Sequence, residues 1–426
     1  MDITQEIIAI KGDICFSKSI NELITIENGY IIVQNGKVIE VSKELADKYK
    51  NVNVLDHLGC LIIPGFVDIH LHAPQFENTG LGYDKQLLPW LETYTFPEEA
   101  KFQNTEYAQA VYERFTDKLI EYGTTRSVIF SSIHKQSTKV LIDILNKKGL
   151  GAYVGKVNMD QNSPDYLIES CEQSLNDTEE ILKEFPQTGL VAPIITPRFV
   201  PTCSKELLAG LSELSKKYNA PVQSHLNENK GEIEWVKELH EDSLDYADVY
   251  DKFGLFGHQK TVMAHCVYNN EREIELMKQK GVFVAHCPNS NSNLASGIAP
   301  IKKYIKSGIN IGLGSDIAGG NTVNMRNVIV NAMQVSRLYS TIIDPQEEQL
   351  SFNEAFYLAT KGGGSFFEHH NVGSFENGYE FDALIVEDNK NINKRTLEER
   401  LQKFIFAGSK KDIKKVYVNG KLIAEK

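Results

Sequence analysis

The sequence predicts an α/β protein: a (β/α)8 TIM-type barrel with a small β-sandwich formed by its N- and C-terminal segments. Three observations lead there. Between residues 62 and 316, eight short β-rich runs alternate with intervals that are mostly helical in pattern, as in a closed parallel barrel. Both ends of the chain are strand-rich in a different style. Five of the central runs stop abruptly at a histidine or an aspartate, and a barrel brings all its strand C-termini to one face.

The N-terminal segment carries Ile7–Ile10, Tyr30–Val33 and Val38–Val41, with Asn35-Gly36 as a hairpin signal between the last two. The C-terminus has Ala383–Val386, Val416–Val418, Asn419-Gly420 and Leu422-Ile423. One small domain made of residues 1–64 and 371–426 leaves fewer sheet edges unpaired than two separate tails would. The barrel then occupies 65–370.

The stretch Ile62–His72 reads as a buried strand that begins after the Pro64-Gly65 turn and ends in His70 and His72. Residues i and i+2 of a strand point the same way, so the two imidazoles can share one cation. Seven further runs follow: Thr125–Phe130, Ala152–Val157, Leu190–Ile195, Val222–His225, Thr261–His265, Val282–His286 and Ile309–Gly314. Intervals such as Ala108–Tyr122 and Leu207–Tyr218 have helical periodicity. A doubly wound open sheet is the competing arrangement, disfavoured because no G-x-G-x-x-G follows the first strand. The connection from Ala73 to about Thr105 is long and aromatic, with Trp90, Tyr94, Phe96 and Pro97. It reads as a lid or pocket wall on the ligand face, or else as a packed surface loop or a dimer contact.

Composition narrows the function. The chain has 426 residues, 42% hydrophobic and 24% charged, the proportions of a soluble globular protein. A net charge of −12 disfavours nucleic acid, whose phosphates need clustered Lys and Arg. Six scattered cysteines without a C-x-x-C pair point to reduced thiols in the cytoplasm. Met1–Gln5 begins no basic-then-apolar leader, and no apolar run approaches the ~20 residues that cross a bilayer. The expectation is a cytoplasmic protein without a membrane partner.

A lone histidine at a strand end is usually structural; His72, His225, His265, His286 and Asp316 at matching positions, with His70 beside them, form a set. A catalytic metal takes about three or four protein ligands and keeps a position open. His70, His72, His225 and Asp316 suit one divalent ion, Zn or Fe(II), rather than Mg or Ca. His265 is then placed to orient water, while His286, in His286-Cys287-Pro288-Asn289-Ser290-Asn291, equally suits bracing a loop or touching the site. Glu228 lies three residues beyond His225 and either moves protons over the site or is solvated at a helix start. Arg198 offers a planar fork to a carbonyl or ring nitrogen. Phe199 either stacks on a flat ring or packs in the core. The Gln75 amide both donates and accepts, as the edge of a nucleobase requires. Trp90, in the aromatic connection, is a further candidate for binding substrate.

These residues carry a resemblance. Pro64–His72 resembles the first-strand signature of the amidohydrolase superfamily. Ala73-Pro74-Gln75-Phe76, Leu88-Pro89-Trp90-Leu91, Tyr94-Thr95-Phe96-Pro97, His286–Asn291 and Gly314–Gly320 are similar to the guanine deaminase family within it, in order along nearly the whole chain. The resemblance implies a barrel with a β-sandwich, one catalytic zinc per subunit, a homodimer, and hydrolytic deamination of guanine to xanthine and ammonia. It implies that His70, His72, His225 and Asp316 are the ligands, Glu228 the proton shuttle and His265 the water-orienting histidine, with Gln75, Arg198 and Phe199 on the purine. Deaminases of a separate zinc class carry P-C-x-x-C, which this chain lacks. Three alternatives stand beside this reading: an amidohydrolase acting on another purine, pyrimidine or triazine-like ring, a non-catalytic scaffold, and a metal-storage or sensing protein.

Overall fold

A computed structural model describes residues 7–388 and 392–426. Met1–Gln5, on which the expectation of no leader rests, lie outside them. In chain order the strands begin with β1 (Ile8–Ser19), β2 (Glu22–Gln34), β3 (Lys37–Ser42) and β4 (Asn53–Pro64). Next come β5 (Phe66–His72), β6 (Thr124–Phe130), β7 (Gly151–Gly155), β8 (Val157–Asn158), β9 (Val191–Pro193) and β10 (Thr196–Pro197). The series continues with β11 (Val222–Leu226), β12 (Thr261–His265), β13 (Phe283–His286) and β14 (Asn310–Leu313), and closes with β15 (Ala383–Val386), β16 (Ile413–Val418) and β17 (Lys421–Glu425).

The two ends of the chain build one sheet in the order β17-β16-β15-β4-β1-β2-β3. The segments expected to form a small β-sandwich are hydrogen-bonded as one seven-stranded sheet. Its two Asn-Gly turns meet. Asn35 and Gly36 (φ 51° and 75°) and Asn419 and Gly420 (φ 46° and 74°) all sit in the left-handed region, as a type I′ hairpin turn demands. A Cβ on Gly36 would lie 2.5 Å from the Asn419 carbonyl oxygen, so this glycine is fixed by contact as well as by φ. One face of the sheet buries Ile10, Ile31, Ile62 and Ile385 around Phe375 and Phe381. The alternate residues Leu61, Ile63, Leu384 and Val386 join the large core shared with the barrel.

All eight runs expected in the middle contain a strand. They form two parallel four-stranded sheets, β5-β6-β7-β9 and β11-β12-β13-β14, in a TIM-barrel-type fold. At one join a single bridge pairs Ile195 with Val222. At the other, the Asp316 amide donates to the His70 carbonyl (2.9 Å) and the His72 amide to that of Ile317 (3.0 Å). Val67, Ile69, Val128, Ile194, Val262 and Ala264 fill the interior. The helix Thr105–Tyr122 starts at Asn104, whose side chain accepts from the Glu106 and Tyr107 amides, and stops at left-handed Gly123. Lys205–Tyr218 is likewise capped by Ser204 and ended by Asn219 at φ 49°.

A strand starts after Pro64-Gly65, as the turn signal there predicts. Ile62–His72 is two strands: Ile62–Pro64 complete β4 in the terminal sheet, and Phe66 opens β5 in the barrel. Gly65 is the hinge, packed where a Cβ would lie 2.3 Å from the Thr125 side chain. A buried ion cluster ties the same regions together. Arg126 of β6 donates from Nε to Asp382 Oδ2 (2.6 Å) and from Nη2 to Asp382 Oδ1 (3.1 Å), and also to Glu380. All six cysteines are free thiols, and no helix among the described residues is long and apolar enough to cross a membrane.

Candidate metal and catalytic centre

His70 and His72 close β5, whose pairing with β6 shifts register between Asp68 and Leu71. Buried Asp68 anchors this end by accepting the Ser315 amide (3.0 Å) and the His70 amide (3.3 Å). Asp316 follows β14 with φ 48°, a left-handed turn that directs its carboxylate back to the histidines. Asp316 Oδ1 lies 3.2 Å from His70 Nε2 and 3.4 Å from His72 Nε2. From the other half-sheet, His225 brings its Nε2 to 3.2 Å from His72 Nε2. The His225 Nδ1 is matched by the Arg198 carbonyl at 2.5 Å, which accepts its proton and leaves Nε2 as a lone-pair donor.

The four residues fit a divalent cation. His70 Nε2 is buried without a hydrogen-bond partner among the described residues, although Asp316 is close. Burial, then the neighbouring imidazoles, hold His72 and His225 well below the ordinary histidine range, so both are neutral donors. Burial works against an ionised Asp316, but His70, His265 and His72 outweigh it and keep the carboxylate anionic. Three neutral imidazoles and one carboxylate are a set for Zn or Fe(II). His70, His72 and His225 have ligand atoms within 4.8 Å of one another, and so do His70, His265 and Asp316.

His265, which the sequence placed beside the candidate ligands, stands at the edge of their cluster. Its Nδ1 pairs with Asn291 Oδ1 (2.9 Å), and its Nε2 lies 3.4 Å from Glu228 Oε2 and 3.8 Å from Asp316 Oδ2. Glu228 is buried and not solvated. Its Oε1 accepts from Ser296 Oγ at 3.2 Å. Burial, then the charge of Asp316, push its carboxyl up to about 8. Behind it Glu232, pushed up to about 7 by burial and by Glu228, accepts the Glu228 amide (3.0 Å) and the Tyr246 hydroxyl (2.7 Å).

A cavity of about 420 Å³ opens over these groups, and Gln75, Trp90, Arg198, Phe199, His265 and Glu228 all line it. The aromatic connection forms its wall as a series of short helical turns, among them Ala73–Asn78, Leu87–Trp90 and Phe96–Ala100. These are pinned by Trp90 Nε1 donating to the Leu81 carbonyl and Tyr83 Oη to that of Ala318, both at 2.8 Å. Phe199 both packs, edge-on to Trp235 at 6.1 Å, and faces the cavity. His286 does not line the cavity, and its ring nitrogens make no hydrogen bond among the described residues.

Asn291, Ser296, Glu232 and Glu99 were not singled out in the sequence. Asn291 stood inside a quoted motif, but nothing marked it as the partner of His265. Glu99 lies in the long aromatic connection, where nothing in the sequence set it apart from Glu98, yet it is 1% exposed.

The amidohydrolase family profile matches residues 61–423. The structure is similar to the crystal structure of guanine deaminase from C. acetobutylicum with guanine bound in the active site. The two share 50% identity over 98% of this chain and 100% of that one, with a TM-score of 0.96. The sequence is 36% identical to the guanine deaminase of Dictyostelium discoideum over 97% of each chain. It is 38% identical to that of Mus musculus, over 90% of this chain and 87% of the relative.

Proposed function

The chain belongs to the amidohydrolase family, and from that premise we propose that it hydrolyses guanine to xanthine and ammonia. The observation that carries this is the meeting of four ligand side chains from both half-sheets beneath a buried acid, in a cavity whose far wall holds Gln75 and Arg198. The guanine held by the C. acetobutylicum enzyme, half identical to this chain, supports guanine as the substrate.

In this reading His70, His72, His225 and Asp316 hold one divalent ion, zinc by preference for an imidazole-rich set, with iron as the alternative. When bound, that ion supplies Lewis-acid activation of water at neutral pH. His265, its ring held by Asn291, directs the water at the amine-bearing carbon, and Asp316 accepts a hydrogen bond from it. Glu228 donates its proton to the ring nitrogen beside that carbon. It then takes up one proton released by the added water and passes it to the amine, which leaves as ammonia, while the remaining hydroxyl proton of the adduct returns to Glu228 as the new carbonyl forms. Two carboxylates pushed in opposite directions, Asp316 down and Glu228 up, divide the base and acid roles between them. Gln75, Arg198, Phe199 and Trp90 line the cavity and hold the purine by its edge and face.

The same reading takes the two half-sheets as one closed barrel over residues 65–370, supported by the contacts at both joins. It assigns 1–64 and 371–426 to the small β domain. It also takes the protein as a cytoplasmic homodimer, and a net charge of −12 supports the absence of a nucleic-acid partner. The test is ammonia release from guanine, adenine and cytosine, with metal content measured on the same sample. Guanine should be turned over with about one metal per chain, and the other two at no more than a small fraction of its rate. Equal or faster release from adenine or cytosine would reject guanine as the substrate.

A further inference from the structure

We infer that Glu99 is a positioning residue for purine recognition, acting through Gln75 and Arg198 rather than by touching substrate. The inference rests on the guanine reading above and names the group that presets the recognising side chains.

The geometry is a three-way junction. Gln75 Nε2 donates to Glu99 Oε1 at 2.9 Å. Arg198 Nη2 donates to the same oxygen at 3.1 Å, and Arg198 Nη1 donates to Oε2. All three side chains are buried, and among them only Gln75 and Arg198 line the cavity. Gln75 Oε1 also accepts the Ala318 amide (3.2 Å), and the Phe96 ring lies 5.1 Å from the Arg198 guanidinium carbon. One donor and one acceptor of the Gln75 amide are therefore spent on the protein. That leaves one donor and one acceptor of Gln75 for a ligand in the cavity, beside the Arg198 N–H groups not taken by Glu99 or by Met159 Sδ.

Only a carboxylate can do this. It accepts from all three donors and neutralises the buried guanidinium. A carboxamide of the same shape has one accepting oxygen and one NH2 group. That NH2 would meet the donor of Gln75 or of Arg198, so Gln75 would turn over and lose Ala318, or Arg198 would swing away. The Arg198 main chain is held independently: its amide donates to the Asn158 carbonyl (3.3 Å), and its carbonyl pairs with His225. The metal ligands are thus insulated from a change at residue 99.

The experiment compares the parent enzyme, carrying its metal, with Glu99→Gln and Glu99→Asp. Metal content, thermal midpoint, and kcat and KM for guanine are read for each. The expected result for Glu99→Gln is a KM raised tenfold or more, kcat within about threefold of the parent, and parental metal content. Glu99→Asp keeps the charge on a shorter arm and should recover part of the KM. An unchanged KM in Glu99→Gln overturns the inference. So does a KM rise that Glu99→Asp does not relieve, or loss of metal or of fold in both variants. A parent enzyme that releases no ammonia from guanine would instead refute the functional reading.

Discussion

At the scale of single residues, the site is a division of labour among ionisable groups that one environment treats differently. Asp316 stays charged because histidines surround it, while Glu228, a few ångströms from His265, is pushed up to about 8 by burial. A proton carrier needs that second condition, since it must hold a proton at neutral pH and still part with it. Glu228→Gln keeps the shape and the Ser296 contact but cannot exchange a proton. It should keep its metal and lose turnover by about 10²–10⁴-fold, the usual worth of positioned proton transfer. Steady-state ammonia release checks this, and parental turnover would remove Glu228 from the proton path. The candidates legible in the sequence were those whose position along the chain was itself the signal, such as His72, His225 and Asp316 at the ends of apolar runs. Glu99 and Asn291 gave no such signal, because their partners Arg198 and His265 are 99 and 26 positions away and only the fold joins them.

At the scale of elements, alternation of strand and helix was readable because each barrel strand is a short apolar run between turn residues. Both Asn-Gly hairpins were readable because left-handed backbone selects those residues. The start of β5 after Pro64-Gly65 was readable too, from a turn signal. Which strands the residues on either side of that turn pair with was not readable, because pairing partners are a non-local fact. The aromatic connection was legible only as a wall, since its helical turns are too short to show a period. Gly65, between the two strands, should tolerate no side chain. Gly65→Ala drives a methyl to 2.3 Å from the Thr125 side chain and should cost about 1–3 kcal/mol, as over-packing in a filled core does. A urea midpoint measures this; a shift too small to resolve would mean that Thr125 moves aside and that the contact does not define the boundary.

At the scale of the whole molecule, the sheet built from both termini shares a core with the middle of the chain and is tied to β6 by Arg126 with Asp382 and Glu380. That the termini pair with each other was legible from their shared strand-and-turn style. Their single-sheet arrangement was not, because strand order is set by pairing across hundreds of residues. The proposed centre depends on the same long-range assembly, with His70 and His72 from one half-sheet and His225 and Asp316 from the other. The most direct measurement is bound metal per chain and ammonia release from guanine on a single sample of His225→Ala, set beside the parent. The expected result is that both fall together, with folding retained. Full metal content with parental turnover would contradict a centre assembled from the two halves.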